Sequence, residues 1–401
     1  MIFQPSAYAQ FQRQPMVKSG KIILRDSTMR DGEQAGVVYS LDQKLELLHA
    51  MDEAHVPEIQ IYSLRTARTI AEAQIICREP RTFSKIEVMT RGTNPKWRWE
   101  QETVLKFGAD CLHCTVPSSS RIRGAYGPAL PDDKLVERVS EVVHYGKSLD
   151  PNKYFNMALM DSSRADRGLL ERLVKTAVEA GADQISISDT TGCCSPDMMR
   201  GFVGTVRAWI PKEINLCVHI HNDFGLATAN CMAAVEAGAT MIDTCVNGRG
   251  KRAGNADMVQ VMMALKAFYG ITTDVLEDKA YDLCKLVERL SGIPIPTNAP
   301  FIGDLVFADD SESHILANND DRFAFQGIDP ENWGNPRRVL IGPNGGVVAM
   351  ATKLSQLGLP PQDNETLRTM WEGCCEFGKM LPNGQYMNDE LTRSVCEKYI
   401  K

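Results

Sequence analysis

The sequence predicts an α/β fold, a (β/α)8 barrel followed by a mainly helical C-terminal appendage. Three observations carry that prediction. Short apolar runs and helix-like stretches alternate eight times between about residues 21 and 269, at roughly 30 residues a unit. A Gly-Ala junction recurs as Phe107-Gly108-Ala109-Asp110, Ala180-Gly181-Ala182-Asp183 and Ala237-Gly238-Ala239-Thr240, each time closing a helix-like stretch and opening an apolar run. Glycine suits a helix C-cap that must turn sharply into a strand, and its spacings of 73 and 57 residues each hold two units. Polar clusters follow the first, seventh and eighth runs, and a TIM barrel keeps its chemistry at the C-terminal ends of its strands. A doubly wound sheet would favour a glycine-rich turn after the first strand, but Asp26-Ser27-Thr28-Met29-Arg30-Asp31 stands there.

Taken in order, the expected strand 21–25 feeds a helix at 42–55, and 58–63 feeds 68–77. Strand 85–90 feeds 97–107, 111–116 feeds 133–147, and 154–159 feeds 169–180. Strand 184–188 feeds 196–209, 216–221 feeds 225–237, and 241–246 feeds 255–269. The pattern breaks near Ser291, and Gly292-Ile293-Pro294-Ile295-Pro296-Thr297-Asn298-Ala299-Pro300 reads as a stiff linker. Beyond it lie a polar stretch to Arg338 and helical patterns at 346–357, 365–379 and 389–401. The expected organisation is an extension over 1–20, a barrel over 21–295 and an appendage over 296–401 that serves as a lid or dimerisation arm.

Composition narrows the class. The chain has 401 residues, 43% hydrophobic and 24% charged, with a net charge of -7 from 51 acidic and 44 basic residues. That is ordinary globular composition, with apolar material for a large core. A mildly acidic chain does not condense on phosphate backbones, which speaks against a nucleic-acid partner. No apolar run reaches the roughly 18 residues a membrane span needs, and the polar first 20 residues lack a signal core. The twelve cysteines sit mostly inside apolar runs and read as reduced core thiols of a cytoplasmic protein. Cys111-Leu112-His113-Cys114 spells a CxxC, but no second pair follows at zinc-ribbon spacing and the run alternates like a strand, so it reads as core.

Three stretches carry chemistry. In His219-Ile220-His221, alternate residues of a strand share a face, so both imidazoles point one way and read as a metal pair, with Asn222-Asp223 following. The stretch from Arg25 to Gln34 closes strand one with two Arg-Asp pairs, a Glu and a Gln. A carboxylate there could complete an oxygen and nitrogen metal site, and an arginine could stabilise an enolate or clamp a carboxylate. The loop from Asn247 to Asn255 brings glycines and three cations to the start of helix eight, where backbone N–H groups can approach an anion.

Together these stretches resemble the DRE-TIM metallolyase superfamily, which contains isopropylmalate, homocitrate and Re-type citrate synthases and hydroxymethylglutaryl-CoA lyase. The motifs read Arg30-Asp31-Gly32-Glu33-Gln34, His219 to Asp223, and Gly248 to Asn255, and the likeness runs from about Ile22 to Ile400. The stretch Phe307 to His314 resembles the segment that carries a catalytic histidine in the acyl-transferring synthases, a domain the lyases lack; Ile328-Asp329-Pro330-Glu331 and Gly342 to Met350 continue it. Ser120 to Gly127 resembles a homocitrate synthase segment whose arginine, here Arg123, meets the distal carboxylate of the oxo acid. The resemblance implies a Claisen-type condensation of acetyl-CoA with a 2-oxo acid. A divalent ion (Mg2+, Mn2+ or Zn2+) would sit on Asp31, His219 and His221, with Asn255 close by. Thr190 would hydrogen-bond the carboxylate of the oxo acid. Arg30 would stabilise oxyanion charge, and His314 would take part in proton transfer at the acetyl group. Gln34, Gln60, Arg91, Arg123 and Arg164 are the further substrate-binding candidates. Gly248, Arg249, Gly250 and Lys251 form the expected CoA or anion loop. A homodimer with exchanged appendages is implied, with no nucleic acid or membrane partner.

The sequence also departs from the family pattern. Gln60 and Met160 stand where carboxylates are usual, Lys251 replaces a glutamate, Phe325 replaces a tyrosine, and Arg249 replaces an aliphatic residue. The cations Arg65, Arg91, Arg123, Arg249 and Lys251 suggest a more anionic oxo acid, such as a dicarboxylate or phosphonate. The alternatives are a lyase running the reverse reaction and a metal-binding relative without catalysis.

Overall fold

The computed structural model describes residues 3–16, 21–62, 64–330 and 333–400. Residues 1–2 and 17–20 of the expected N-terminal extension, Ser63 at the end of expected strand two, Glu331 and Lys401 lie outside the described residues. The chain divides into two compact units, Gln10–Pro294 and Ile295–Lys401 together with Met1–Ala9.

The first unit is the expected barrel. Its strands are β1 (Ile23–Asp26), β2 (Glu58–Ile61), β3 (Lys85–Arg91), β4 (Cys111–Pro117), β5 (Tyr154–Met160), β6 (Gln184–Asp189), β7 (Asn215–Ile220) and β8 (Met241–Thr244). Each pairs in parallel with the next, and β8 closes on β1. The intervening helices are α1 (Leu41–Glu53), α2 (Ala67–Arg78), α3 (Trp97–Phe107), α4 (Asp132–Leu149), α5 (Arg167–Glu179), α6 (Pro196–Arg207), α7 (Ala227–Glu236) and α8 (Met258–Tyr269).

Local chemistry sets these helix ends. The Ser40 hydroxyl accepts from the Gln43 amide while the Gln43 side chain returns to the Ser40 N–H, a capping box that starts α1. Ser195 caps α6 with Pro196 in its first turn, and Asp257 caps α8. Gly108, Gly181 and Gly238, the junction glycines of the sequence, all adopt φ between 92° and 101°, a region that side chains disfavour. On α5 the buried residues Leu169, Leu170, Leu173, Val174 and Ala177 fall on one helical stripe, the spacing that lays a helix on a sheet.

Two features of this unit depart from expectation. Helix α8 begins at Met258 rather than 255, because Asn255 bridges to His221 and its amide N–H bonds the carbonyl of Gly248 at 3.0 Å. A further helix, α9 (Glu277–Ser291), follows where the sequence had suggested no element. The barrel lumen is unusually polar. Arg25, Gln60, Glu87, His113, Asn156 and Asp243 are all buried inside it, where branched apolar residues normally dominate. Every cysteine is unpaired and all but Cys193 and Cys375 are buried, with Cys111 and Cys114 both on β4.

Among its described residues the second unit holds a short parallel pair, β9 (Ala308–Asp309) with β10 (Arg338–Val339), and the helices α10 (Glu312–Asp320), α11 (Gly346–Gln356), α12 (Asn364–Lys379) and α13 (Asp389–Cys396). Ile315, Met350, Leu354, Met370, Cys374 and Val395 belong to its core. The helix α10 arises inside what the sequence presents as a polar stretch, anchored by the buried Ile315. No helix among the described residues is long and apolar enough to cross a membrane.

Candidate active site

The C-terminal ends of β1, β7 and β8 bring the strongest cluster together. The turn after β1 carries Asp31 inward, 2% exposed. The strand β7 and the residue after it put His219 and His221 on the same face, and their Nε2 atoms lie 3.2 Å apart. Asp31 Oδ2 lies 3.2 Å from His219 Nε2 and 3.8 Å from His221 Nε2. Asn255 Nδ2 donates to the same carboxylate oxygen at 2.9 Å, and Asn255 Oδ1 has no hydrogen-bond partner among the described residues. Gly250 makes this approach feasible, since a Cβ there would fall 1.8 Å from Asn255 Oδ1. The glycines of the loop thus serve the packing of Asn255.

The donor set fits a divalent cation. His219 Nδ1 is bonded to Asp243 Oδ2 at 2.8 Å, the carboxylate partner that commonly orients a ligating imidazole and leaves its other nitrogen as a lone pair. Two imidazole nitrogens and a carboxylate oxygen then converge in a buried space, and one buried Asn oxygen close by is unsatisfied. Such converging lone pairs repel each other unless a cation lies between them.

Charge reinforces the cluster. Burial works to raise the Asp31 carboxyl, but Arg30 and the two histidines override it and hold it well below the usual range. Burial and the neighbouring His219 hold His221 down to about 3, in its neutral, ligating form. Burial also opposes charge on His219, yet Asp243 and Asp31 lift it above the ordinary imidazole value. Arg30 donates to Asp31 Oδ1 at 2.7 Å and to Ser27 Oγ at 3.3 Å, and its buried Nε has no hydrogen-bond partner among the described residues.

Beneath the cluster lies a second polar layer. Arg25 bridges Glu87 at 2.9 Å and Asp243 at 2.8 Å. Glu87 Oε1 also accepts from Gln60 and lies 2.8 Å from His113 Nδ1, while Asn156 donates to Glu87 Oε2 at 2.9 Å. Burial tends to raise both Glu58 and Glu87; next to Glu87, Glu58 rises well above the usual range, while Arg25 and His113 hold Glu87 well below it.

A cleft opens above these layers. Arg30, Asp31, His219 and His221 line it, together with Gln34, Gln60, Thr190 and Lys251 from the sequence-derived set. Asn255 touches the cluster without lining the cleft. The remaining candidates go elsewhere. Arg91 is held by Glu100, a partner nine residues on along α3. Arg123 is held by Asp132 at 2.7 Å and the Leu130 carbonyl at 2.8 Å. Arg164 makes a fork onto Asp161, both bonds 2.8 Å. Arg249 turns away to the carbonyls of Ile293 and Pro294, at 2.6 and 3.2 Å, and neither Gly248 nor Gly250 lines the cleft. None of these four arginines lines the cleft, each being held by a nearer acceptor; the cations that line it among the described residues are Arg25, Arg30, Lys251 and Arg252. His314 belongs to the second unit, where its ring stacks on Phe325 with centroids 3.8 Å apart and Nδ1 lies 3.4 Å from Asp309.

Several cleft residues escaped the sequence reading: Asp243, Tyr126, Ser188 and His113. Asp243 had a signal, a lone acid within the apolar run Met241-Ile242-Asp243-Thr244. Asp189, Cys193 and Cys194 also lie close together, but the Asp189 carboxylate is taken up by Ser163 and the amides of both cysteines, which holds the turn after β6.

Comparison with known proteins places this site in context. Residues 21–290 match the family model described as HMGL-like. The chain is 34% identical over 355 residues to the homocitrate synthase AksA of Methanopyrus kandleri, covering 86% of this chain and 84% of that protein. It is 30% identical to a 2-isopropylmalate synthase of Sulfurisphaera tokodaii over 95% of this chain and 96% of that one. It is 31% identical to the (R)-citramalate synthase CimA of Methanocaldococcus jannaschii over 94% of this chain and 76% of that one. Among solved structures, a hydroxymethylglutaryl-CoA lyase from Pseudomonas aeruginosa superposes with a TM-score of 0.60 at 18% identity, over 69% of this chain and 95% of that one, a likeness of fold.

Proposed function

The chain belongs to the HMGL-like family, and we propose that it is an acyltransferase condensing acetyl-CoA with a 2-oxo acid to release CoA and a 2-hydroxy di- or tricarboxylate. The convergence of Asp31, His219 and His221 beside Arg30 at the C-terminal mouth of the barrel carries this reading. The relatives named as synthases support it, and the alignment with the 2-isopropylmalate synthase runs through both units.

The residues divide the work as follows. Asp31, His219 and His221, with Asn255 adjacent, would hold a divalent ion. When bound, such an ion polarises the ketone of the oxo acid as a Lewis acid. Asp243 fixes the His219 ring so that Nε2 faces the cluster. Arg30, partly buried and always charged, stabilises oxyanion charge as it develops. Thr190 donates to the carboxylate of the oxo acid, and His314 takes part in proton transfer at the acetyl group.

The finer proposal concerns the side chain of the oxo acid. Of the five cations that suggested a second anion, Lys251 is the one lining the cleft, and no hydrogen bond or ion pair holds its ammonium among the described residues. A second carboxylate or phosphonate would meet it. We assign the enzyme to the cytoplasm as a homodimer with exchanged appendages, in keeping with its buried free thiols and the family resemblance.

A thiol-release assay tests the reading. With Mg2+, Mn2+ or Zn2+, acetyl-CoA and a panel of 2-oxo acids, CoA release is expected, and it should stop on chelation. Faster release with oxaloacetate, 2-oxoglutarate or phosphonopyruvate than with 2-oxoisovalerate supports the second anion; the opposite order removes it. Release that survives metal removal sinks the mechanism, and a fully active His314→Ala variant takes His314 out of it.

A further inference from the structure

We propose that Asp161 is a positioning residue that aims the hydroxyl proton of Thr190 into the cleft, as the centre of a hydrogen-bonded belt along the barrel rim. The inference rests on the reading of Thr190 as a donor to the 2-oxo acid carboxylate. It concerns what makes Thr190 such a donor.

Asp161 follows β5 with φ 63° and ψ 32°. Left-handed backbone at a non-glycine residue is strained, and Asp is among the few residues that visit it. The turn has a consequence: it points the Asp161 N–H at Thr190 Oγ1, at 2.9 Å. The Asp161 side chain is fully buried. Arg164 grips its carboxylate through Nε and Nη2, and Ser119, from the loop after β4, donates to it as well. Four polar contacts on one residue therefore hold the unusual backbone in place.

Thr190 is clamped from the other side too. Its carbonyl accepts from Arg252 Nη2 at 2.7 Å, and Arg252 forks onto Asp223 at 2.7 and 2.9 Å. The belt thus runs Ser119, Asp161, Thr190, Arg252, Asp223, joining the rim segments that follow β4, β5, β6, β8 and β7.

A hydroxyl has one proton to give and two lone pairs to receive with. The Asp161 amide occupies a lone pair of Thr190, and no acceptor takes the proton among the described residues. Thr190 lines the cleft. What it can offer a ligand is therefore a donor, the form a carboxylate requires. This also gives Arg164 its work: it holds Asp161 and leaves the substrate to others.

The test measures binding of pyruvate, the smallest 2-oxo acid, to the full Mg2+-loaded chain by calorimetry, alongside the KM for acetyl-CoA. Thr190→Val and Asp161→Ala should each weaken pyruvate about tenfold, the size of one lost hydrogen bond to a charged group. The double variant should be no weaker than Thr190→Val, because both remove one interaction. Asp161→Asn, which keeps the amide and tolerates left-handed backbone, should restore most of the affinity; it also guards against misfolding of the alanine variant. The KM for acetyl-CoA should not move. If Thr190→Val weakens pyruvate and Asp161→Ala does not, or if the two effects add, the role of Asp161 falls while that of Thr190 stands. If Thr190→Val has no effect, or the parent chain does not bind pyruvate, both fall.

Discussion

Gln60 on β2 stands in register with Glu87 on β3, and its amide donates to that carboxylate. A carboxylate at position 60 could not donate and would crowd Glu87, whose charge Arg25 already balances. The neutral amide is therefore a requirement of the neighbouring strand, and the negative charge of this layer sits one strand over. Gln60→Glu is expected to destabilise the fold by about 1–3 kcal/mol, the cost of an unsatisfied buried group. The introduced carboxyl would have its pKa raised in the folded state, so the deficit should grow as pH rises above about 4, where the unfolded chain ionises first. Adding Glu87→Gln should recover much of the loss; thermal melts across pH read both, and equal stability of Gln60→Glu and parent at neutral pH would refute the pairing. The same scale explains what the sequence hid. The metal-type cluster was legible because alternation on a strand fixes the direction of His219 and His221. The directions of Arg91, Arg123 and Arg249 were not, because a long side chain follows whichever acceptor the fold brings near, here Glu100, Asp132 and the Ile293 carbonyl.

At the scale of elements, one carboxylate ties α1 to the start of β3. Asp52, in the last turn of α1, accepts from the amides of Thr82, Phe83 and Ser84 and from the Thr82 hydroxyl. Burial works to raise its pKa, and the backbone donors override this and bring it from 3.8 to about 2. A carboxyl with a depressed folded pKa adds stability above its unfolded value and loses it as pH falls through the folded one. Asp52→Asn should therefore cost about 1–3 kcal/mol at neutral pH, and the gap to the parent should close between about pH 4 and 2 in acid unfolding curves. A gap that persists undiminished at pH 2 would exclude the charge as its source. Barrel helices were legible from period and caps, whereas α9 and α10 were not picked out. In α10 the sequence presents mostly polar residues, and the buried Ile315 is its link to the second core. The late start of α8 has a tertiary cause as well: Asn255 is drawn across to His221 before the helix can begin.

For the whole molecule, the cluster links ligand binding to folding. An ion bound by the native barrel and not by the unfolded chain stabilises it by about 2.7 kcal/mol at a hundredfold excess over its dissociation constant. Thermal unfolding should shift upward with a divalent ion and return with chelator, and His219→Ala with His221→Ala should abolish the shift. An unchanged shift in that double variant would move the ion to another site. The sequence by itself determined the barrel, its strand order and the strand ends that carry the chemistry, because hydrophobic period, glycine junctions and short motifs are local properties of the chain. The tertiary structure alone decided which polar residues meet. The partnership of Gln60 with Glu87, the carboxylate behind His219 and the left-handed turn that binds Asp161 to Thr190 all join different strands or their rim loops. Their physical reason is the closure of the sheet, which brings such residues within hydrogen-bond distance.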